Sequence, residues 1–412
     1  MRLKKLIKSL LPGIFLFGFT VGTGSVTSMA KAGADYGMSL LWAILLSCYI
    51  TYFMINQYGR FTLVTGKTAL AAFKKHIHPA VGIFFIVALT LHVSGSIIGV
   101  MGIIADICHE WTKTFIEGGI PHIAIALFFV TIVYLLFLDG RTKVFQKILT
   151  FVVAIMAISF LINFFIMPPP VEEIAKGLIP KVPETGSEDK AFLVIASIVG
   201  TTVFSGLFIL RGTLVKEANW TWKDYKIQKR DAMFAGIMMF VVSASVMAAA
   251  SGTLHAQGIS LENVSEMIVL LEPVAGLFAV GVFTLGVVAA GVSSQFPNVS
   301  MLPWLLDDYH ERKPNLRRLD YRIYVLILSF FGMIVPLFQA KPVTIMIASQ
   351  AFSALILPVT VASLIYLGNK KIVVKEKKLS VATNIQLVFV LIFSLIMSYM
   401  SYSGLFAFIK NL

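Results

Sequence analysis

The chain has 412 residues, 58% of them hydrophobic and only 13% charged, with a net charge of +13, and its mean hydropathy is +0.86. This composition excludes a water-soluble globule and reads as a membrane protein with many spans. No phosphate loop, nucleophile elbow or H-E-x-x-H motif is present, so an enzyme is not expected, and Cys48 and Cys108 support neither a disulfide framework nor a metal cluster.

Apolar runs long enough to cross a bilayer fall at about 11–35, 39–59, 80–105, 120–138, 144–167, 191–215, 232–254, 273–303, 323–340, 343–367 and 384–408. With the amino terminus cytoplasmic, 26 of the 34 Lys and Arg residues fall in inner segments, 6 in outer segments and 2 within spans. The positive-inside rule therefore predicts a cytoplasmic amino terminus and an extracellular carboxy terminus in the cell membrane. The net charge is a topology signal, and no nucleic-acid partner is expected. The stretch from Met1 to Ala30 also has the layout of a secretory signal, but Pro12, the glycines in its apolar part and its echo in the sixth span favour a retained helix. The Pro-rich, acidic stretch from Met167 to Lys190 reads as an external linker.

Span one begins L-P-G-I-F and is interrupted at Gly22-Thr23-Gly24-Ser25. Such a break is either a glycine-lined packing face or a place where freed backbone groups meet a ligand, because lipid offers them no partner. Span two is uninterrupted. Span three has no carboxylate and carries His92 with Ser94 and Ser96, either a packed polar group or a proton relay.

Span six repeats the interruption, since Ile198 to Arg211 reads I-V-G-T-T-V-F-S-G-L-F-I-L-R. It shares a Val-Gly-Thr triplet with Thr20 to Lys31, and both stretches end in a cation. Two interrupted segments at matching places in two halves point to a transporter binding site. Both second half-helices then start near the midplane, each amino terminus carrying about half a positive charge and several unpaired N–H groups. In span eight the pair Ser293-Ser294 suits either a sodium ion held with span-one carbonyls or hydrogen bonding between helices. Span ten places Ser349-Gln350 at depth, and Pro358 predicts a kink there.

All 21 acidic residues fall in loops or at span ends, and Lys31 and Arg211 are the two basic residues within spans. A divalent cation takes carboxylate, His, Cys or Met ligands, and neither broken segment supplies them apart from Met29, past the first break. The two cations either snorkel to the interfaces or serve function. Two helix amino termini, two cations and no carboxylate predict a positive midplane that favours a small anion.

The motifs L-P-G-I-F, A-G-A-D-Y-G-M-S-L-L-W from Ala32 to Trp42, V-T-G-K from Val64 to Lys67, G-T-T-V from Gly200 to Val203, A-A-G-V-S-S from Ala289 to Ser294 and Ser349-Gln350 resemble, in order, those of the NRAMP divalent-metal transporters. The resemblance implies an all-α integral membrane protein of eleven transmembrane helices, a five-plus-five inverted repeat with helices 1 and 6 broken. The repeats would occupy 1–168 and 191–368, with the linker at 169–190 and the eleventh helix within 369–412. The family's metal motif D-P-G-N is replaced here by Gly22-Thr23-Gly24-Ser25, and its M-P-H by Phe204-Ser205-Gly206. A further family histidine aligns with Arg211, the acids of helix three are missing, and Gln350 is retained. Related branches that carry magnesium or bicarbonate are known.

The sequence therefore predicts an alternating-access secondary transporter, acting as a monomer, for a small inorganic anion, with bicarbonate first. Gly22, Thr23, Gly24, Ser25, Phe204, Ser205, Gly206 and Gln350 would form the site, Arg211 and Lys31 would attract the ion, and sodium at Ser293 and Ser294 would be the only coupling ion, with no other cofactor. The alternatives are a divalent magnesium or manganese carrier, and a membrane sensor that does not transport.

Overall fold

The computed structural model describes residues 11–139, 154–155, 157–162, 164–184, 187–271, 279–312, 315, 318–375 and 377–410. Apolar side chains on all faces and lipid on the outside leave helix as the conformation that satisfies every backbone group within its own segment. Among the described residues all regular elements are helical. Span one is α1 (Leu11–Thr20) and α2 (Thr23–Tyr36), span two is α3 (Leu41–Thr65), and a short connector helix α4 (Ala69–His76) leads to span three, α5 (Pro79–Thr112). Then follow α6 (His122–Asp139), a linker helix α7 (Val171–Gly177), the two halves of span six, α8 (Glu188–Thr202) and α9 (Ser205–Glu217), and α10 (Tyr225–Gly252). The chain finishes with α11 (Ala279–Tyr309), α12 (Leu319–Phe331), α13 (Ile334–Phe338), α14 (Pro342–Ala354), α15 (Leu357–Asn369), α16 (Lys371–Val374) and α17 (Val381–Lys410).

Among the described residues six stretches are long and apolar enough to cross a membrane: Pro79–Thr112, Glu188–Glu217, Trp222–Gln257, Leu319–Phe338, Pro342–Asn369 and Val381–Lys410. Shorter apolar helices accompany them, and half of the expected fifth span, 144–153 with 156 and 163, lies outside the described residues. The packing pairs follow a five-span shift: α2 lies on α10 and α9 on α3, which is span one on seven and span six on two. Span three, α5, is held between α11 and α14.

The breaks are narrower than expected. Helix α2 resumes at Thr23 and α9 at Ser205, so only Val21-Gly22 and Val203-Phe204 leave helical geometry. Thr23, Gly24 and Ser25 are thus the first turn of a helix. Gly22 is extended (φ −105°, ψ −170°), so it is close approach that requires a glycine there: an added Cβ would lie 2.9 Å from Ser294 Cβ.

Glycine also sets how tightly the halves join. A Cβ on Gly200 would overlap the Gln350 carbonyl oxygen, and one on Gly33 the Met247 carbonyl oxygen, so α8 meets α14, and α2 meets α10, backbone to backbone. Gly18 in α1 has open space around it. Gly200→Ala is expected to cost about 1–3 kcal/mol by overpacking, whereas Gly18→Ala should cost nothing; thermal unfolding of the purified protein in detergent checks both.

Candidate functional site

The two breaks border a cavity of about 40 Å³. A water-sized occupant needs roughly 10–15 Å³ on this scale, so there is space for about three or four heavy atoms. The first span lines it with Phe19, Thr20, Gly22, Gly24 and Ser25, and the sixth with Thr201 and Phe204. His92, Ser96 and Val100 of α5 form another wall, Ser294 and Asn298 of α11 a third, and Gln350 of α14 closes it.

Its polar groups are set by helical spacing. His92 and Ser96, one turn apart, share a face of α5, as Ser294 and Asn298 do on α11. His92 Nδ1 lies 3.0 Å from the Ser349 carbonyl, which can only accept, so Nδ1 carries the proton and Nε2 is the ring's remaining polar atom. Gln350 Nε2 donates to Ser96 Oγ at 3.2 Å and contacts Met346 Sδ at 3.3 Å. That carboxamide lies against Gly24, where a Cβ would approach it to 2.5 Å. Among the described residues, the side chains of Ser25, Thr201 and Asn298 make no hydrogen bond to protein although each lines the cavity. The Phe204 ring bends back over Gly206. It meets Phe19 edge-on at 5.8 Å and the His92 ring at 4.8 Å, so three elements converge on one aromatic contact.

Of the residues picked from sequence, Gly22, Gly24, Ser25, Phe204, Gln350 and Ser294 line this cavity, while Thr23, Ser205, Gly206, Ser293, Arg211 and Lys31 do not. Thr23 Oγ1 turns to the Val287 carbonyl at 3.4 Å, and Ser205 Oγ accepts from Thr360 Oγ1 at 2.7 Å. Ser293 Oγ donates to the Ala290 carbonyl at 2.9 Å; Ser294 Oγ does so at 2.7 Å while still bordering the cavity. Sequence reasoning left Thr20, Thr201 and Asn298 out of the site, and set His92 and Ser96 apart from it. Ser96 follows His92, and Asn298 follows Ser294, by one helical turn, a signal that spacing alone carried.

The two cations require the largest correction. Arg211 is fully buried with its Nη1 2.6 Å from Asp231 Oδ2, and its Nη2 donates to the Gln228 carbonyl at 3.3 Å. Asp231 Oδ1 also accepts the Gly13 N–H at 2.7 Å. The guanidinium lies 5.5 Å from the Trp220 ring centroid. Asp231 sits less than two turns into α10, at the polar start of that span, and is completely buried by protein. The pair joins the start of α1 to α9 and α10. Lys31 pairs with Asp35 at 2.7 Å and donates to Ser260 Oγ at 3.1 Å. Both charges are compensated locally, so the cavity is neutral and polar where a cationic site was expected. Among the described residues no group of three His, Cys, Asp or Glu gathers to hold a metal ion.

Residues 14–403 match the family model described as natural resistance-associated macrophage protein-like. The divalent metal cation transporter MntH of Caldanaerobacter subterraneus subsp. tengcongensis is 23% identical over 389 residues, covering 91% of this chain and 87% of that protein. The natural resistance-associated macrophage protein 2 homolog of Dictyostelium discoideum is 23% identical and covers 88% of this chain and 58% of its own length. A crystal structure of the Eremococcus coleocola manganese transporter superposes with a TM-score of 0.75 at 17% identity, over 98% of this chain and 87% of that one. The inward-facing conformation of Mhp1 superposes at 0.61 with 13% identity, over 97% and 88%.

Removing one partner of a buried pair leaves a bare charge and costs about 3–5 kcal/mol, whereas replacing both by apolar groups is near neutral. Arg211→Met is therefore expected to lower thermal stability sharply, and adding Asp231→Leu to restore most of it. A double variant no more stable than the single one would mean that the pair is not what joins these helices.

Proposed function

The chain belongs to the natural resistance-associated macrophage protein-like family, whose members are transporters and not enzymes, and we propose that its cargo is a small inorganic anion, bicarbonate first. One observation carries this reading: the cavity between the breaks is lined by hydroxyls, carboxamides, an imidazole and apolar groups, with no carboxylate and no thiol. A dication stripped of water in neutral surroundings loses hydration that nothing there replaces. Bicarbonate is planar, small and carries a single charge.

Bicarbonate needs several donors and one acceptor. Ser25, Thr201 and Asn298, with the unpaired first-turn N–H groups of α2, supply donors without a net charge. His92 supplies the acceptor, because its Nδ1–H is held by Ser349 and Nε2 is left to take the ion's O–H. Formate, chloride and nitrate have no such proton, so this atom favours bicarbonate over them. Sodium at Ser294, with carbonyls at the end of α1, would couple uptake to its gradient.

The second reading is a divalent metal cation, favoured by the likeness to a divalent metal cation transporter and to a manganese transporter. Gln350, His92 Nε2 and backbone carbonyls would then hold a partly hydrated ion. Proteoliposomes discriminate between the two. Labelled bicarbonate is expected to accumulate under an inward sodium gradient while manganese and magnesium do not. Ser25→Ala and Asn298→Ala should each cut its uptake about tenfold or more, the loss of one hydrogen bond to a charged ligand. Entry of manganese without bicarbonate would overturn the anion and establish the metal.

A further inference from the structure

We propose that the basic cluster where α4 meets the end of α15 binds the phosphodiester of an anionic glycerophospholipid. The turn after α3, with Gly66 in left-handed geometry (φ +67°), returns Lys67 to the last residue of α4. There Lys67 Nζ lies 3.0 Å from His76 Nε2. From the other side Lys370 Nζ donates to the His76 carbonyl at 2.8 Å and to Tyr366 Oη at 2.9 Å, with Lys75 next in the chain. Among the described residues no carboxylate forms an ion pair with Lys67, Lys75 or Lys370. Burial and the charges of Lys67, Lys75 and Lys370 together hold the His76 imidazole below its usual range, with no acidic side chain opposing them. A neutral imidazole then accepts from the Lys67 ammonium. The carboxy-terminal carbonyls of α4 account for Lys370, but Lys67 and Lys75 are left as charges that converge without an anion.

The surroundings select a lipid over a free phosphate. Tyr366 is 49% exposed and Ile372 78% exposed at one edge, and Ile83 (51%) and Phe84 (39%) are exposed a turn beyond the start of α5, after His78. Tyr366 is bonded to Lys370 and Ile372 follows it by two residues, so exposed apolar surface adjoins the cationic cluster. A soluble phosphate would use the ammonium groups and leave that apolar edge idle. Clustered lysines at the end of a span attract anionic headgroups, worth about 1 kcal/mol each.

Native mass spectrometry of the full-length protein in detergent, titrated with dioleoylphosphatidylglycerol or dioleoylphosphatidylcholine, tests this. Phosphatidylglycerol is expected to be retained preferentially. Lys67→Gln/Lys370→Gln should weaken its retention by roughly tenfold to thirtyfold, about fivefold for each ammonium lost, and leave phosphatidylcholine unchanged. Lys67→Arg/Lys370→Arg should retain binding. If the double glutamine variant does not fold, Lys75→Gln is read instead, with a loss of a few-fold expected. Equal retention of the two lipids, or undiminished phosphatidylglycerol on the glutamine variants, overturns the proposal. Displacement of the lipid by millimolar inorganic phosphate would assign the cluster to free phosphate and overturn the lipid.

Discussion

A peptide group freed inside a bilayer has no water to turn to, and the architecture of this chain follows from where such groups are freed and how they are satisfied. Spans one and six each open at two residues, Val21-Gly22 and Val203-Phe204. Neighbouring helices must come close enough to close the gap. Thr51 of α3 donates to the Thr202 carbonyl at the end of α8 at 2.7 Å. Ser294 stands against Gly22, Gln350 against Gly24, and the backbone of α14 against Gly200. Each approach requires a glycine, and together they leave only a small cavity unfilled. The cavity is what remains when the breaks have been closed as far as packing allows.

Charge is handled separately from that cavity. Placing Arg211 in the fold without a partner would be prohibitive, and Asp231 supplies one from the neighbouring span while also receiving the Gly13 amide. Gln228, whose carbonyl receives Arg211, itself donates to the carbonyls of Ile55 and Asn56 in α3. One polar cluster thus joins four helices on the basic side of the breaks. The consequence for function is indirect. With Arg211 neutralised there and Lys31 neutralised by Asp35, what the cavity presents is a set of neutral donors and acceptors and helix amino termini.

Much of this was legible in the residues. Small and polar residues inside two otherwise apolar runs located the breaks, since lipid tolerates such runs only where protein covers them. Half of the selected site residues border the cavity. Those that do not, such as Ser205 and Thr23, lie on the helix face turned away from it, a rotation of a quarter to half a turn that one sequence does not specify. Thr201 and Asn298 were hidden for the reverse reason: each is an ordinary polar residue until its helix is rotated toward the break.

By itself the sequence determined the membrane class, the helical content, the breaks in spans one and six and the lack of carboxylate and thiol ligands at them, because each depends only on which groups lipid will accept along a single segment. The partner of Arg211 was decided only by tertiary structure. Asp231 lies 20 positions further along the chain, and nothing marks it as the partner of Arg211 until α9 and α10 are packed side by side. Whether a buried charge belongs to a binding site or to the scaffold depends on the distance to its nearest opposite charge, and that distance exists only once the helices have met.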